Sequence, residues 1–188
     1  MISVVVCTYN RAQTLLRMLE SFYLQRDLSC VDYELIVVDN NSTDDTRRVA
    51  DGFSNRPGFC YFLESRQGLS FARNRGITEA RGDVVSFLDD DVIVDSRWLA
   101  NLQKCLDETH ADVVGGRVEL NFQASPPTWL GPLFRMYLAE LDLAPTRMIG
   151  LDHSGYSGCN VTFRKETLQY VGGFDGRLGR TGTQLGCF

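Results

Sequence analysis

Three consecutive carboxylates, Asp89-Asp90-Asp91, follow directly on the apolar run Val84-Val85-Ser86-Phe87-Leu88. Such a run reads as a buried strand, so the acids sit where the chain emerges at the edge of a sheet. Side chains alternate faces along a strand, so Asp89 and Asp91 are expected to point one way and Asp90 the other. Carboxylates on one side are hard oxygen ligands for Mg²⁺ or Mn²⁺, and a cation held there would want phosphate. The same residues also suit a solvated turn leading to a helix capped near Asp95-Ser96. Both readings stand on these residues alone, although a bound cation would relieve the repulsion among three acids.

The elements that would position the cluster alternate between β-branched runs and helical periodicity, the pattern of βαβ units around a mostly parallel sheet. Strands are predicted at Ile2 to Cys7, Leu35 to Val38, Phe59 to Leu63, Val84 to Leu88 and Val113 to Leu120. Helices are predicted where Leu15, Leu16, Leu19, Phe22 and Tyr23 recur, from a cap at Ser42 or Thr43 to about Phe53, from Ser70 to about Ala80, and around Trp98, Leu99, Leu102 and Leu106. The rhythm breaks at Ser125-Pro126-Pro127-Thr128-Trp129, a loop, after which Leu133 to Leu141 suits a short helix.

In an open α/β sheet, ligands bind outside the carboxyl ends of the strands. The loops there hold Thr8-Tyr9-Asn10-Arg11, Asp39-Asn40-Asn41-Ser42 and the aspartates, with Arg66-Gln67-Gly68-Leu69-Ser70 as a glycine turn feeding a helix that carries Arg73 and Asn74. The set suits a nucleotide with a diphosphate. Asp39 could accept hydrogen bonds from a base, or close an Asx turn. Arg11 and Arg73 could face phosphate oxygens, or make weak surface ion pairs.

Composition bounds the partners. The 188 residues, 44% hydrophobic and 23% charged, suit one globular domain with a real core. A net charge of −5 argues against a nucleic-acid or anionic-membrane binder, so an anion must be bound locally. Cys7, Cys30, Cys60, Cys105, Cys159 and Cys187 form no CxxC pair, so neither a zinc ribbon nor a dithiol redox motif is indicated. With no basic leader and no apolar stretch of bilayer length, the expected compartment is a reducing cytoplasm.

Taken in order, the motifs resemble family 2 of the inverting, nucleotide-sugar-dependent glycosyltransferases, which have the α/β GT-A fold, a Rossmann-like, mostly parallel sheet flanked by helices. The resemblance rests on Val4-Val5-Val6-Cys7-Thr8-Tyr9-Asn10-Arg11, Ile36-Val37-Val38-Asp39-Asn40-Asn41-Ser42-Thr43-Asp44, Gly68-Leu69-Ser70 with Ala72-Arg73-Asn74-Arg75-Gly76, Phe87-Leu88-Asp89-Asp90-Asp91, Gly158-Cys159-Asn160 and Val171-Gly172-Gly173-Phe174-Asp175. It implies one GT-A domain, with residues 1–120 as the donor half and 121–188 as an incomplete acceptor-side half.

Carried over by position, the resemblance implies that Thr8, Asn10 and Arg11 line the nucleotide pocket, that Asp39 contacts the base, and that Asn41, Arg73 and Asn74 lie near the donor. Asp89 would approach ribose or sugar hydroxyls with Asp90 beside it, Asp91 would hold Mn²⁺ or Mg²⁺, and Gly158 and Asn160 would face the donor sugar or the acceptor. The donor would be a UDP- or dTDP-sugar, since Asp39 suits an imide. The acceptor would be a glycan or a lipid-linked glycan, which would bring the protein to the inner face of a membrane as a peripheral partner. Relatives follow Leu178-Gly179-Arg180 with a Gly-Glu-Asp-type motif that supplies the general base, so the base is expected beyond Phe188 and Asp175 is not assigned to it. A non-catalytic nucleotide-sugar-binding domain is the alternative. A pyrophosphorylase would need a glycine-rich loop after strand one, and a dinucleotide oxidoreductase a GxGxxG there. His153 and Trp129 read as a loop histidine and a loop-packing aromatic.

Overall fold

The computed structural model describes residues 1–122, 124–141, 156–178, 180, 181, 184 and 185. His153 and Gly179, named above, lie outside the described residues, as do Gln123 and Cys187.

Five elements set the frame of the first half: β1 (Ile2–Thr8), α1 (Ala12–Phe22), β2 (Tyr33–Asp39), α2 (Thr46–Asp51) and β3 (Phe59–Leu63). They are followed by α3 (Leu69–Glu79), β4 (Val84–Asp89), α4 (Trp98–Thr109) and β5 (Val113–Gly115). Beyond lie α5 (Pro132–Arg135), β6 (Asn160–Arg164), α6 (Lys165–Val171) and a small ribbon of β7 (Arg180–Thr181) and β8 (Gln184–Leu185). The main sheet has the order β3-β2-β1-β4-β6-β5, parallel from β3 to β4 and antiparallel where β6 pairs with β4 and β5.

Alternation along the strands builds two cores. Val4, Val6, Leu35, Val37 and Leu88 face Leu15, Met18, Leu19, Leu99 and Leu102 from α1 and α4. Val5, Ile36, Val38, Val85 and Phe87 face Ala72 of α3 and Leu168 of α6. Strands covered on both faces read as unbroken apolar runs, which is why β1 and β2 were visible in sequence. Gly76 lets α3 lie close on β1: a Cβ there would run into the Val5 side chain.

Several boundaries differ from expectation, each for a local reason. The second helix starts at Thr46, not near Ser42, because Asp44 Oδ1 takes the Thr46 N–H at 3.0 Å and holds the preceding residues as a turn. The fourth begins at Trp98, after Asp95 Oδ1 accepts the Arg97 N–H at 2.9 Å. The strand expected to reach Leu120 stops at Gly115; further on, Val118 makes only an isolated bridge to Leu141. The Asn160 side chain fills the space a Cβ on Gly116 would need. The helix expected over 133–141 is shorter, running Pro132–Arg135 and then a 3₁₀ turn at Met136–Leu138. Strand β6 and helix α6 were not anticipated. Among the described residues, no helix is long and apolar enough to cross a membrane.

Candidate active site

Strand order reverses direction between β1 and β4: β2 and β3 extend one way from β1, and β4 lies on its other side. The crevice outside the carboxyl ends at such a switch point is where α/β sheets bind ligands. Register brings the predicted residues level there, with Thr8 beside Asp39 and Cys7 beside Asp89.

The first two loops are laced together. Asn10, in the left-handed region at φ 52°, donates its N–H to Ser42 Oγ at 2.9 Å, and its Oδ1 accepts the Thr43 N–H at 2.7 Å. Asn41 is also left-handed, at φ 68°, and is exposed. Asp39 is 2% exposed, and both of its oxygens are engaged. Oδ1 accepts the Ser42 N–H at 2.8 Å, the Asx turn foreseen as one option, and Oδ2 accepts the Tyr61 hydroxyl at 2.8 Å. Burial, and then the hydrogen bond to Asp39, push the Tyr61 phenol up to about 12, so it remains a donor. Each Asp39 oxygen keeps acceptor capacity for a further donor.

Asn40, which sequence reasoning passed over, clamps the glycine turn. Its Nδ2 donates to the Glu64 carbonyl at 3.1 Å and the Arg66 carbonyl at 2.7 Å, and its Oδ1 accepts the Gly68 N–H at 2.7 Å. Gly68, at φ 142°, adopts a backbone that side chains disfavour and opens α3.

The aspartate cluster divides differently from simple alternation. The pleat ends at Asp89, so Asp90 and Asp91 lie in the turn beyond it. Asp90, 5% exposed, accepts the Thr8 hydroxyl at 2.7 Å. Arg11 Nη1 bridges Asp90 Oδ1 at 3.3 Å and Asp91 Oδ2 at 2.6 Å. Thus Asp90 and Asp91 share a partner, while Asp89 faces Arg73 Nη2 at 4.0 Å. Burial pushes Asp90 up to about 6 against the pull of Thr8 and Arg11, and burial likewise raises Asp89. Asp90 raises Arg11 in return.

Arg73 is held by aromatic faces, with its guanidinium 5.1 Å from the Phe174 ring centre and 5.9 Å from that of Phe87. Gly158 lies against it, since a Cβ there would sit 3.5 Å from Arg73 Nη2. Asn74 and Asn160 are engaged elsewhere. Asn74 exchanges two hydrogen bonds with the Phe174 backbone at 2.7 and 2.9 Å. Asn160 accepts the Trp98 indole N–H at 3.0 Å and donates to the Arg117 carbonyl at 3.2 Å. Asp175 is gripped by Arg177, whose hydrogen bonds lower its carboxyl to about 2, the wrong direction for a proton acceptor. Trp129 packs edge to face on Phe134, as a loop aromatic would.

Among the described residues, no group of three or more His, Cys, Asp or Glu side chains forms a metal cage. A hard divalent ion bound through one or two carboxylates plus phosphate oxygens needs none. The donor set fits that mode: Asp91 is half-exposed, and the cluster already draws a guanidinium to 2.6 Å.

The family model for glycosyl transferase family 2 matches residues 3–172. The chain belongs to that family. Among relatives, it is 27% identical over 195 residues to a glucosyl-dolichyl phosphate glucuronosyltransferase of Haloferax volcanii, covering 96% of this chain and 58% of that one. Among solved structures, TarS of Staphylococcus aureus in complex with UDP superimposes with a TM-score of 0.71 at 25% identity, covering 95% of this chain and 51% of that one. The mannosyltransferase PcManGT of Pyrobaculum calidifontis, in complex with GDP-Man and Mn²⁺, gives 0.68 at 24% identity, with 94% and 48% covered. The chain therefore spans roughly half the length of these proteins. Its six-stranded mixed sheet has the expected GT-A architecture.

Proposed function

We propose that the chain binds a nucleoside diphosphate sugar at the carboxyl edge of β1, β2 and β4 and serves a family 2 enzyme that transfers the sugar, with inversion, to an acceptor hydroxyl. The observation that carries this reading is the convergence of Asp39, Thr8, Arg11, Arg73 and Asp89-Asp90-Asp91 on one crevice at the switch point.

In this reading Asp39, fixed by Ser42 and Tyr61, accepts the imide N–H of uracil or thymine. The bound UDP in TarS favours a UDP- or dTDP-sugar, and the GDP-Man of PcManGT makes GDP the comparison to test. Thr8 and Asn10 shape the pocket floor and Asn41 its rim, while Asp89 takes ribose or sugar hydroxyls. Arg11 and Arg73 answer diphosphate charge. Asp91, with Asp89 near it, would hold Mn²⁺ or Mg²⁺; such an ion stabilises the charge that develops on the departing diphosphate. Gly158 leaves room beside Arg73 for the sugar, and Asn74 and Asn160 act indirectly, by bracing Phe174 and Trp98. No described residue is assigned the general base.

Residues 1–120 form the donor half and 121–188 belong to the acceptor side. A lipid-linked acceptor is supported by the glucosyl-dolichyl phosphate in the Haloferax relative's name, and such an acceptor would bring the protein to a membrane surface, in this reading the cytoplasmic one. The test is calorimetric titration of UDP, dTDP and GDP, with and without Mn²⁺, on this chain and on Asp91→Ala. Metal-dependent binding of one nucleotide, lost in the variant, is expected; binding whose metal dependence survives Asp91→Ala would overturn the site assignment. Metal-dependent binding without transfer or donor hydrolysis would favour the non-catalytic alternative.

A further inference from the structure

Arg11 and Arg73 both serve the aspartate cluster, but they are held differently. Arg73 is 20% exposed and lies against the Phe174 and Phe87 rings, so its guanidinium is held in place. Arg11 is 48% exposed, has no aromatic partner among the described residues, and borders an open cleft of about 420 Å³ that Gln13 and Asp44 also line. Its contacts at the head are two carboxylate oxygens, Asp90 Oδ1 and Asp91 Oδ2.

We infer that Arg11 is a built-in counter-cation that holds Asp90, competes with the divalent ion for the neighbouring Asp91, and passes to the diphosphate when donor and metal arrive. The inference rests on the donor-site reading above. Two facts carry it. The oxygen nearest Arg11, Asp91 Oδ2 at 2.6 Å, belongs to the proposed metal ligand, so guanidinium and ion would claim the same carboxylate. Asp90 is buried and, without Arg11, would keep only the Thr8 hydroxyl among the described residues. A buried carboxylate stripped of its cation is strongly disfavoured, so Arg11 leaves only as another cation takes its place. A flexible guanidinium released beside a diphosphate finds there the bidentate acceptor it prefers. Metal therefore binds weakly to the empty protein and strongly with nucleotide, and Arg11 carries much of that coupling.

The test is Mn²⁺ binding followed by electron paramagnetic resonance on the full chain, for wild type, Arg11→Gln and Arg11→Lys, first with Mn²⁺ alone and then with UDP or GDP added. Arg11→Gln is expected to bind Mn²⁺ alone about tenfold tighter than wild type, the order of change for removing one positive charge at hydrogen-bond distance. The factor by which nucleotide raises Mn²⁺ affinity should shrink in parallel, and Arg11→Lys should fall between. A folded Arg11→Gln protein that binds Mn²⁺ alone no better than wild type, while nucleotide still promotes Mn²⁺ binding in wild type, would overturn the inference and leave the donor site standing. Should Arg11→Gln not fold, Arg11→Lys makes the same comparison. Absence of Mn²⁺ binding in every protein, with or without nucleotide, would overturn both.

Discussion

The Tyr61 hydroxyl donates a 2.8 Å hydrogen bond to Asp39 Oδ2, so the β3 side chain sets the orientation of the carboxylate at the end of β2. With Asp39 almost fully buried, a lost donor is not readily replaced by water. Tyr61→Phe removes the hydroxyl and keeps the ring, and a hydrogen bond to a charged group contributes about 1.5–3 kcal/mol. We expect stability to fall by about 2 kcal/mol in urea denaturation and nucleotide affinity to fall about tenfold. Unchanged affinity in a destabilised protein would mean that Asp39 does not contact the base.

Asn40 holds the 64–68 turn with one carboxamide shared among Glu64, Arg66 and Gly68. Asn40→Ala leaves a buried N–H and two carbonyls without that partner, and an orphaned buried group costs about 1–3 kcal/mol. The loss should total about 3 kcal/mol, less than the sum because water enters the space. Hydrogen exchange at the Gly68 amide reads it directly: exchange should quicken there more than in β1, and a uniform change would refute the local clamp.

What was legible in the sequence follows from the range of the interactions. Strands β1, β2 and β4 are apolar runs covered on both faces, and each ends on polar residues, so the sequence alone places Thr8, Asp39 and Asp89 at one edge. The Asp90–Arg11 bridge was not legible, because alternation predicts faces only within the pleat. Tyr61, Asn40 and Phe174 were missed for another reason: their roles depend on partners 22, 28 and 100 positions away. Strand β6 escaped because Asn160–Arg164 is short and its antiparallel pairing with β4 leaves no mark on local periodicity.

Gly76 sits where α3 meets Val5 of β1. At an exposed helix position, Gly→Ala stabilises by about 1 kcal/mol through propensity. Here the added methyl overlaps Val5, and overpacking costs about 1–3 kcal/mol, so packing outweighs propensity. Gly76→Ala should lower stability by about 1 kcal/mol, roughly 2–4 °C in Tm. Because Arg73 lies about one turn before Gly76, outward movement of α3 should also weaken nucleotide binding. A higher Tm would show that Val5 has room to rotate aside.

At the opposite end of the sheet, Glu34 is buried beneath a polar cap. Its Oε1 accepts the Ser3 hydroxyl at 2.6 Å and the Arg81 N–H at 2.7 Å, and its Oε2 accepts Arg81 Nε at 2.7 Å. Burial pushes this carboxyl up, but the Ser3 and Arg81 hydrogen bonds together outweigh it and hold the group below its ordinary value of 4.5. With the folded value below the unfolded one, the carboxylate's contribution is fully present above about pH 4.5 and is lost as pH falls through the folded value. Glu34→Gln keeps the shape but sets an amide N–H against Arg81, at a cost of about 2 kcal/mol near neutral pH. Urea denaturation near pH 7 and again near pH 3 should show that gap narrowing on the acid side, because the wild type loses what the variant never had. A gap of constant size across that range would mean that Glu34 stabilises by packing alone.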